Sequence, residues 1–271
     1  MERAFLNRSP TSNEQILLSK FLGSYRDGSG NNRETDGSTR ADSRQIERCF
    51  AELLHGQTTE SKAFYDFVVE SNESGGIAVR GASVKSKEIK KLSTYKSEAD
   101  RKSLRAHLEI SNASAKDWRL CSEHGLTEED FRQNKYPEKF GEVILLRQAI
   151  ERQTSEQGYI SSHNGAKRFF VAKDCVFISI LYSPIEKKER NWLVSSFSVQ
   201  LPKPAKWAFR GSAVIGTDED DEIVYEWYAL SGSQFKYYPK IQDRLLGTDL
   251  FQLPTPTSES LRAKSSRLFG D

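Results

Sequence analysis

The sequence predicts an α/β protein of the α+β kind: a central mixed β-sheet flanked by helices, with a β-rich C-terminal half. Three stretches predict it. In DSRQIERCFAELLHG, residues 42–56, Ile46, Cys49, Phe50, Leu53 and Leu54 recur at helical spacing, Asp42 or Ser43 stands at the capping position and Gly56 can end the helix. In FYDFVVESNESGGIAVRGASVKSK, residues 64–87, two runs of β-branched and aromatic residues flank turn chemistry, which reads as a hairpin. From Gly158 onward the chain breaks into short β-type runs, KRFFVA, CVFISILY, NWLVSSFSVQL, KWAFRGSAVIG, DEIVYEWYAL and FKYY.

The remaining elements follow from the same rules. NEQILLSKFLGSY carries apolar residues near helical spacing and predicts a short opening helix ending at Gly23. Residues 24–42 hold almost nothing that could be buried and predict a mobile loop or linker. Leu104 to Ile110 alternates apolar side chains with Arg105, His107 and Glu109, predicting a strand that joins the hairpin's sheet. A short helix follows through Trp118 to Gly125, Thr127 with its three acids starts another, and PEKFGEVILLRQAIERQ is the longest helix of the second half. The acidic run 217–222 predicts a solvated hairpin tip, and the tail from Thr255 a loosely held end. The expected organisation is a helix and linker over 1–42, a core with the hairpin over 43–157, and a β-rich part over 158–271 belonging to the same globular unit.

Composition bounds the function without choosing it. The chain has 271 residues, 37% hydrophobic and 29% charged, with a formal net charge of +2, so polyanion binding would depend on local clustering of its basic groups. No apolar run is long enough for a bilayer and the N-terminus lacks a signal-peptide core, which predicts a cytoplasmic protein with no membrane partner. Cys49, Cys121 and Cys175 are odd in number and far apart, the pattern of buried thiols. There is no GxxxxGK[ST], GxGxxG after a strand, GxSxG or HExxH.

The hairpin carries the candidate chemistry. Residues two apart on a strand share a face, so Asp66 groups with Phe64, Val68 and Glu70, and Ser83 with Lys85. A carboxylate on one strand and a lysine on its neighbour suit a metal-assisted phosphodiesterase, where the carboxylate holds a divalent cation and the ammonium orients water near a phosphate. Glu47 falls at the edge of the apolar stripe of its helix and Glu52 points away from it, so Glu47 is the acid able to approach the sheet. His107 is the one histidine on the polar face of a predicted strand, beside Glu109, and is a candidate acid, base or phosphate contact to DNA, although a lone strand histidine is more often structural. Lys206, Arg210 and Lys236 stand beside aromatics in KWAFR and QFKYY and are candidates for DNA contact, although ordinary sheet residues with basic ends in water give the same pattern.

A helix with an inward glutamate, then a hairpin with Asp66 in FYDF and Lys85 in SVKSK, resembles the PD-(D/E)xK nuclease fold, the scaffold of type II restriction endonucleases. The resemblance spans Glu47 to Trp118. It implies a nuclease-like core, Mg2+ as cofactor, Asp66 as a metal ligand and Lys85 beside the attacking water. It also implies double-stranded DNA as substrate, a homodimer, and functional pairing with a DNA methyltransferase. Two positions depart from the pattern: Tyr65 stands in place of proline, and Ser83 in place of the second acid. Some enzymes resembling this pattern recruit a glutamate from a following helix, which would be Glu98; Glu70 or Glu109 could serve instead, with Glu47 in support. A non-catalytic nucleic-acid-binding or interaction protein, and a repair nuclease with little sequence specificity, are the competing expectations.

Overall fold

The computed structural model describes residues 2–59, 64–185 and 190–270. In chain order these form α1 (Ser12–Gly23), α2 (Ser43–Leu54), β1 (Gln57–Thr58), β2 (Phe67–Glu73), β3 (Gly76–Glu88), α3 (Glu98–Arg101) and β4 (Leu108–Asn112). Next come α4 (Ser114–Glu123), α5 (Glu128–Arg132), α6 (Pro137–Ser162), β5 (Arg168–Phe170), β6 (Val176–Tyr182) and β7 (Asn191–Ser198). The chain continues through β8 (Lys206–Arg210), β9 (Ala213–Thr217), β10 (Ile223–Tyr228), β11 (Gln234–Tyr237), β12 (Leu246–Gly247), β13 (Phe251–Gln252) and α7 (Leu261–Phe269). They fall into two compact units, one of Met1–Lys102, Ala166–Phe197 and Arg244–Asp271, the other of Ser103–Gly165 and Ser198–Asp243. The division therefore lies at neither 42/43 nor 157/158, because a strand's unit is set by the sheet edge it pairs with, often far away in sequence.

The first unit is built on a mixed sheet in the order β1-β2-β3-β6-β7-β12, with β5 beside β3 and β13 beside β7. β1, β2 and β3 are antiparallel neighbours, whereas β6 runs parallel to β3, with Ala82 opposite Val176 and Lys85 opposite Ser179. The hairpin turn is tighter than SNESGG suggests, since β2 and β3 pair out to Glu73 and Gly76 and leave Ser74 and Gly75 at the tip. One face of the sheet packs on helices. Phe67, Val69, Ala82, Val84, Val176, Ile178 and Ile180 join Leu18, Leu22, Ile46, Phe50 and Leu54 in one buried cluster, each large side chain contributing about 1.5–3 kcal/mol of transfer free energy. α2 matches its expected extent: Asp42 accepts from the Gln45 amide in a capping box, and left-handed His55 ends it, one residue before the expected glycine.

Two polar segments of this unit are more structured than their composition suggests. Within 24–42, Asp27 accepts from the Ser29 amide and hydroxyl and from Lys264 of α7, Arg26 pairs with Asp36, and Glu34 with Arg190 at 3.0 Å. The same Lys264 contact ties down the tail, which forms α7 instead of an irregular end. Ion pairs take the place of the apolar contacts that pattern reading looks for.

The second unit holds a five-stranded sheet in the order β4-β11-β10-β9-β8, antiparallel throughout. The strand containing His107 and Glu109 was expected in the hairpin's sheet; β4 instead pairs with β11, Leu108 opposite Tyr237. α6 begins with Pro137 and extends to Ser162, beyond the apolar stripe that marks its start in the sequence. It passes so close to β8 that a Cβ on Gly141 would stand 2.2 Å from the Trp207 ring. Trp118, Phe131, Phe140, Phe209 and Trp227 form the aromatic core. The 217–222 run is a hairpin tip as expected, but Asp218 and Glu222 both pair with Arg105 and Lys240, so its charge is partly neutralised.

Candidate active site

Asp66 lies just before β2, where the chain enters the sheet. Its amide donates to the Ala82 carbonyl at 2.9 Å, and its carbonyl accepts from Thr59 at 3.1 Å. The preceding Tyr65 is buried and stacks on Phe170 with ring centres 5.7 Å apart. Its ring lies over Gly81, where a Cβ would fall 2.4 Å from it. The position that differs from the PD-(D/E)xK pattern thus carries an aromatic anchor, and the glycine opposite makes room for it.

With its backbone fixed, the Asp66 side chain reaches over β3. Oδ2 accepts from the Val84 amide at 2.6 Å, from the Ser83 hydroxyl at 3.1 Å and from the Lys85 ammonium at 3.3 Å. Lys85 also donates to Ser83 Oγ at 2.8 Å, so the serine passes a hydrogen bond from the ammonium to the carboxylate. The shared face of Ser83 and Lys85 is therefore the one expected from strand spacing. Asp66 Oδ1 has no hydrogen-bond partner among the described residues, and the Asp66 and Lys85 side chains are about one-fifth exposed.

Glu47 completes the group. α2 holds it half-buried beside its apolar stripe. Burial pushes its carboxyl above the usual carboxylate range, and the Asp66 charge adds to this, against the opposing pull of Lys85 and Arg44. No hydrogen bond or ion pair satisfies it among the described residues. A half-buried, unpaired carboxylate beside a second carboxylate is unfavourable in isolation and suits a cation.

The other candidates lie elsewhere. Glu70 is held by Arg168 at 2.6 Å. Glu98 is exposed in the first turn of α3, where its charge acts on Arg244, and no hydrogen bond or ion pair joins it to Asp66 or Lys85. Glu109 stands 4.0 Å from His107 in the second unit, and His107 meets the Tyr238 ring edge-on. Lys206 and Arg210 are exposed at the two ends of β8, whereas Lys236 lies over the Tyr228 ring at 4.5 Å.

Sequence reading missed the hydrogen-bonding part of Ser83 and the Val84 amide, and the Tyr65–Gly81 contact, for which a glycine inside a strand pattern was the available signal. Among the described residues no group of three or more His, Cys, Asp or Glu side chains is gathered to hold a metal. Glu47 and Asp66 are a pair of hard oxygen donors, and Mg2+ commonly takes one or two carboxylates together with water and phosphate oxygens. No helix among the described residues is long and apolar enough to cross a membrane. No protein-family model, curated protein or solved structure matches the chain.

Proposed function

We propose that this protein is a metal-assisted phosphodiesterase acting on DNA. The particular reading is a type II restriction endonuclease with a PD-(D/E)xK core, cutting both strands at a short specific sequence. The observation that carries it is the convergence of Glu47, Asp66, Ser83 and Lys85 on one hairpin and the helix before it. The order helix, antiparallel strands, then a strand parallel to β3 supports the nuclease-core reading.

On this reading Glu47 supplies the second carboxylate in place of the acid missing at Ser83. Asp66 Oδ1 and the Glu47 carboxylate would hold Mg2+, whose charge offsets the negative charge developing on the phosphate. Asp66 keeps Oδ2 on the Val84 amide, which fixes its rotamer. Lys85, carried by Ser83, presents its ammonium to the attacking water and the phosphate oxygens. Lys206 and Arg210 would contact the DNA backbone. A homodimer, cutting two strands of a palindrome, and a partner methyltransferase in the same cytoplasm belong to the same proposal.

Incubation with a mapped plasmid, in magnesium and in chelator, tests it. Discrete fragments only with magnesium are the expected result. A smear would favour a nuclease of low specificity, and a gel shift without cutting would favour a DNA-binding protein and contradict catalysis.

A further inference from the structure

We infer that Ser179 is a positioning residue for Lys85, accepting a hydrogen bond from its ammonium once Asp66 holds a cation. This rests on the reading of Lys85 as the group that orients the attacking water.

An ammonium has three N–H donors. Lys85 uses two, toward Ser83 Oγ at 2.8 Å and Asp66 Oδ2 at 3.3 Å, and the third has no partner among the described residues. The longer bond is the one a cation weakens, because a divalent ion on Asp66 draws off the charge of that carboxylate and repels the ammonium. Lys85 then needs another acceptor on its own face of the sheet.

β6 offers one. It runs parallel to β3 with Ser179 directly opposite Lys85. The neighbours of Ser179, Ile178 and Ile180, lie in the core shared with Val84, so Ser179 lies on the opposite face with Lys85. Ser179 is fully buried, and its hydroxyl is without a hydrogen-bond partner among the described residues. Buried hydroxyls are nearly always paired, so this one calls for an explanation. The flanking residues on that face of β6, Phe177 and Leu181, are apolar and offer no rival acceptor. Ser195 on β7, the next strand, is likewise buried with an unpartnered hydroxyl, and extends the same polar row away from the hairpin.

The direct test is hydrogen exchange of the Lys85 ammonium, followed by NMR on lysine-labelled protein with and without magnesium alone. With magnesium, Ser179→Ala should exchange several-fold faster than the parent, and Ser179→Thr, which keeps the hydroxyl, should restore protection. In cleavage assays Ser179→Ala should lower kcat roughly tenfold at unchanged KM, the loss expected for one hydrogen bond to a charged group. A Ser179→Cys variant provides a second removal of the strong acceptor if alanine impairs folding. Exchange rates identical in the parent, Ser179→Ala and Ser179→Cys, with magnesium present, would overturn the inference. The exchange readout needs no cleavage. A parent that cuts while all rates coincide sinks Ser179 alone, and a parent that never cuts sinks the nuclease reading, leaving exchange to decide the hydrogen bond.

Discussion

The ring of Tyr65 rests on the bare α-carbon of Gly81, and any side chain at 81 would enter it: a Cβ there would be 2.4 Å from the ring. This contact sets where the chain enters β2, and so where Asp66 stands over Ser83 and Val84. Gly81→Ala should destabilise the protein by about 1–3 kcal/mol through overpacking of a buried ring, read as a lower denaturant midpoint. Tyr65→Ala leaves a cavity and should cost about 3–5 kcal/mol, the range for large aromatic truncations. The double variant should lose less than the sum, since the smaller residue at 65 relieves the clash at 81. Strict additivity would show that the two do not act as a unit.

Glu47 should behave as a residue held against the interest of stability. Its carboxyl is raised by burial and by Asp66, so the folded state holds its proton more tightly than the unfolded chain. The stability this contributes is fully present below the unfolded carboxylate range and is lost as pH rises through the raised folded value. Without metal, Glu47→Gln should therefore have a higher Tm than the parent at neutral pH, and the gain should vanish in acid. The same substitution should abolish magnesium-dependent cleavage. A glutamine variant that is less stable at neutral pH would contradict the unpaired, half-buried carboxylate.

Glu70 and Glu98 are the discriminating controls. Glu70 is occupied by Arg168 and Glu98 is exposed in α3. Glu98→Ala should cut within about twofold of the parent, a change under about 0.5 kcal/mol, as for a surface substitution. Glu70→Ala should leave cleavage in place and cost at most about 1 kcal/mol, for the loss of a partly exposed ion pair. Loss of cleavage in either, with the fold intact, would move the second carboxylate away from Glu47.

The parts of this molecule legible in its sequence are those whose signal is local. The α2 stripe, the hairpin of β2 and β3, and the shared face of Ser83 and Lys85 follow from spacing alone. The inward position of Glu47 follows from its place on the helix wheel. Pairing between distant segments was not legible. β4 has the alternation of a strand but nothing in Leu108–Asn112 states that its partner is β11, and only the parallel register of β6 sets Ser179 opposite Lys85. Segment 24–42 reads as a linker because its order comes from ion pairs such as Glu34 with Arg190 and Asp27 with Lys264, whose partners lie far along the chain.

The proposed function requires Lys85 and Asp66 for magnesium-dependent hydrolysis of DNA. The rate of plasmid cleavage by Lys85→Ala, measured beside the parent and beside DNA binding by the same variant, tests it most directly. Cleavage should fall by roughly a hundredfold or more, as for loss of an electrostatic group at the reacting phosphate, with the fold and DNA binding retained. Lys85→Ala protein that cuts as fast as the parent would contradict it.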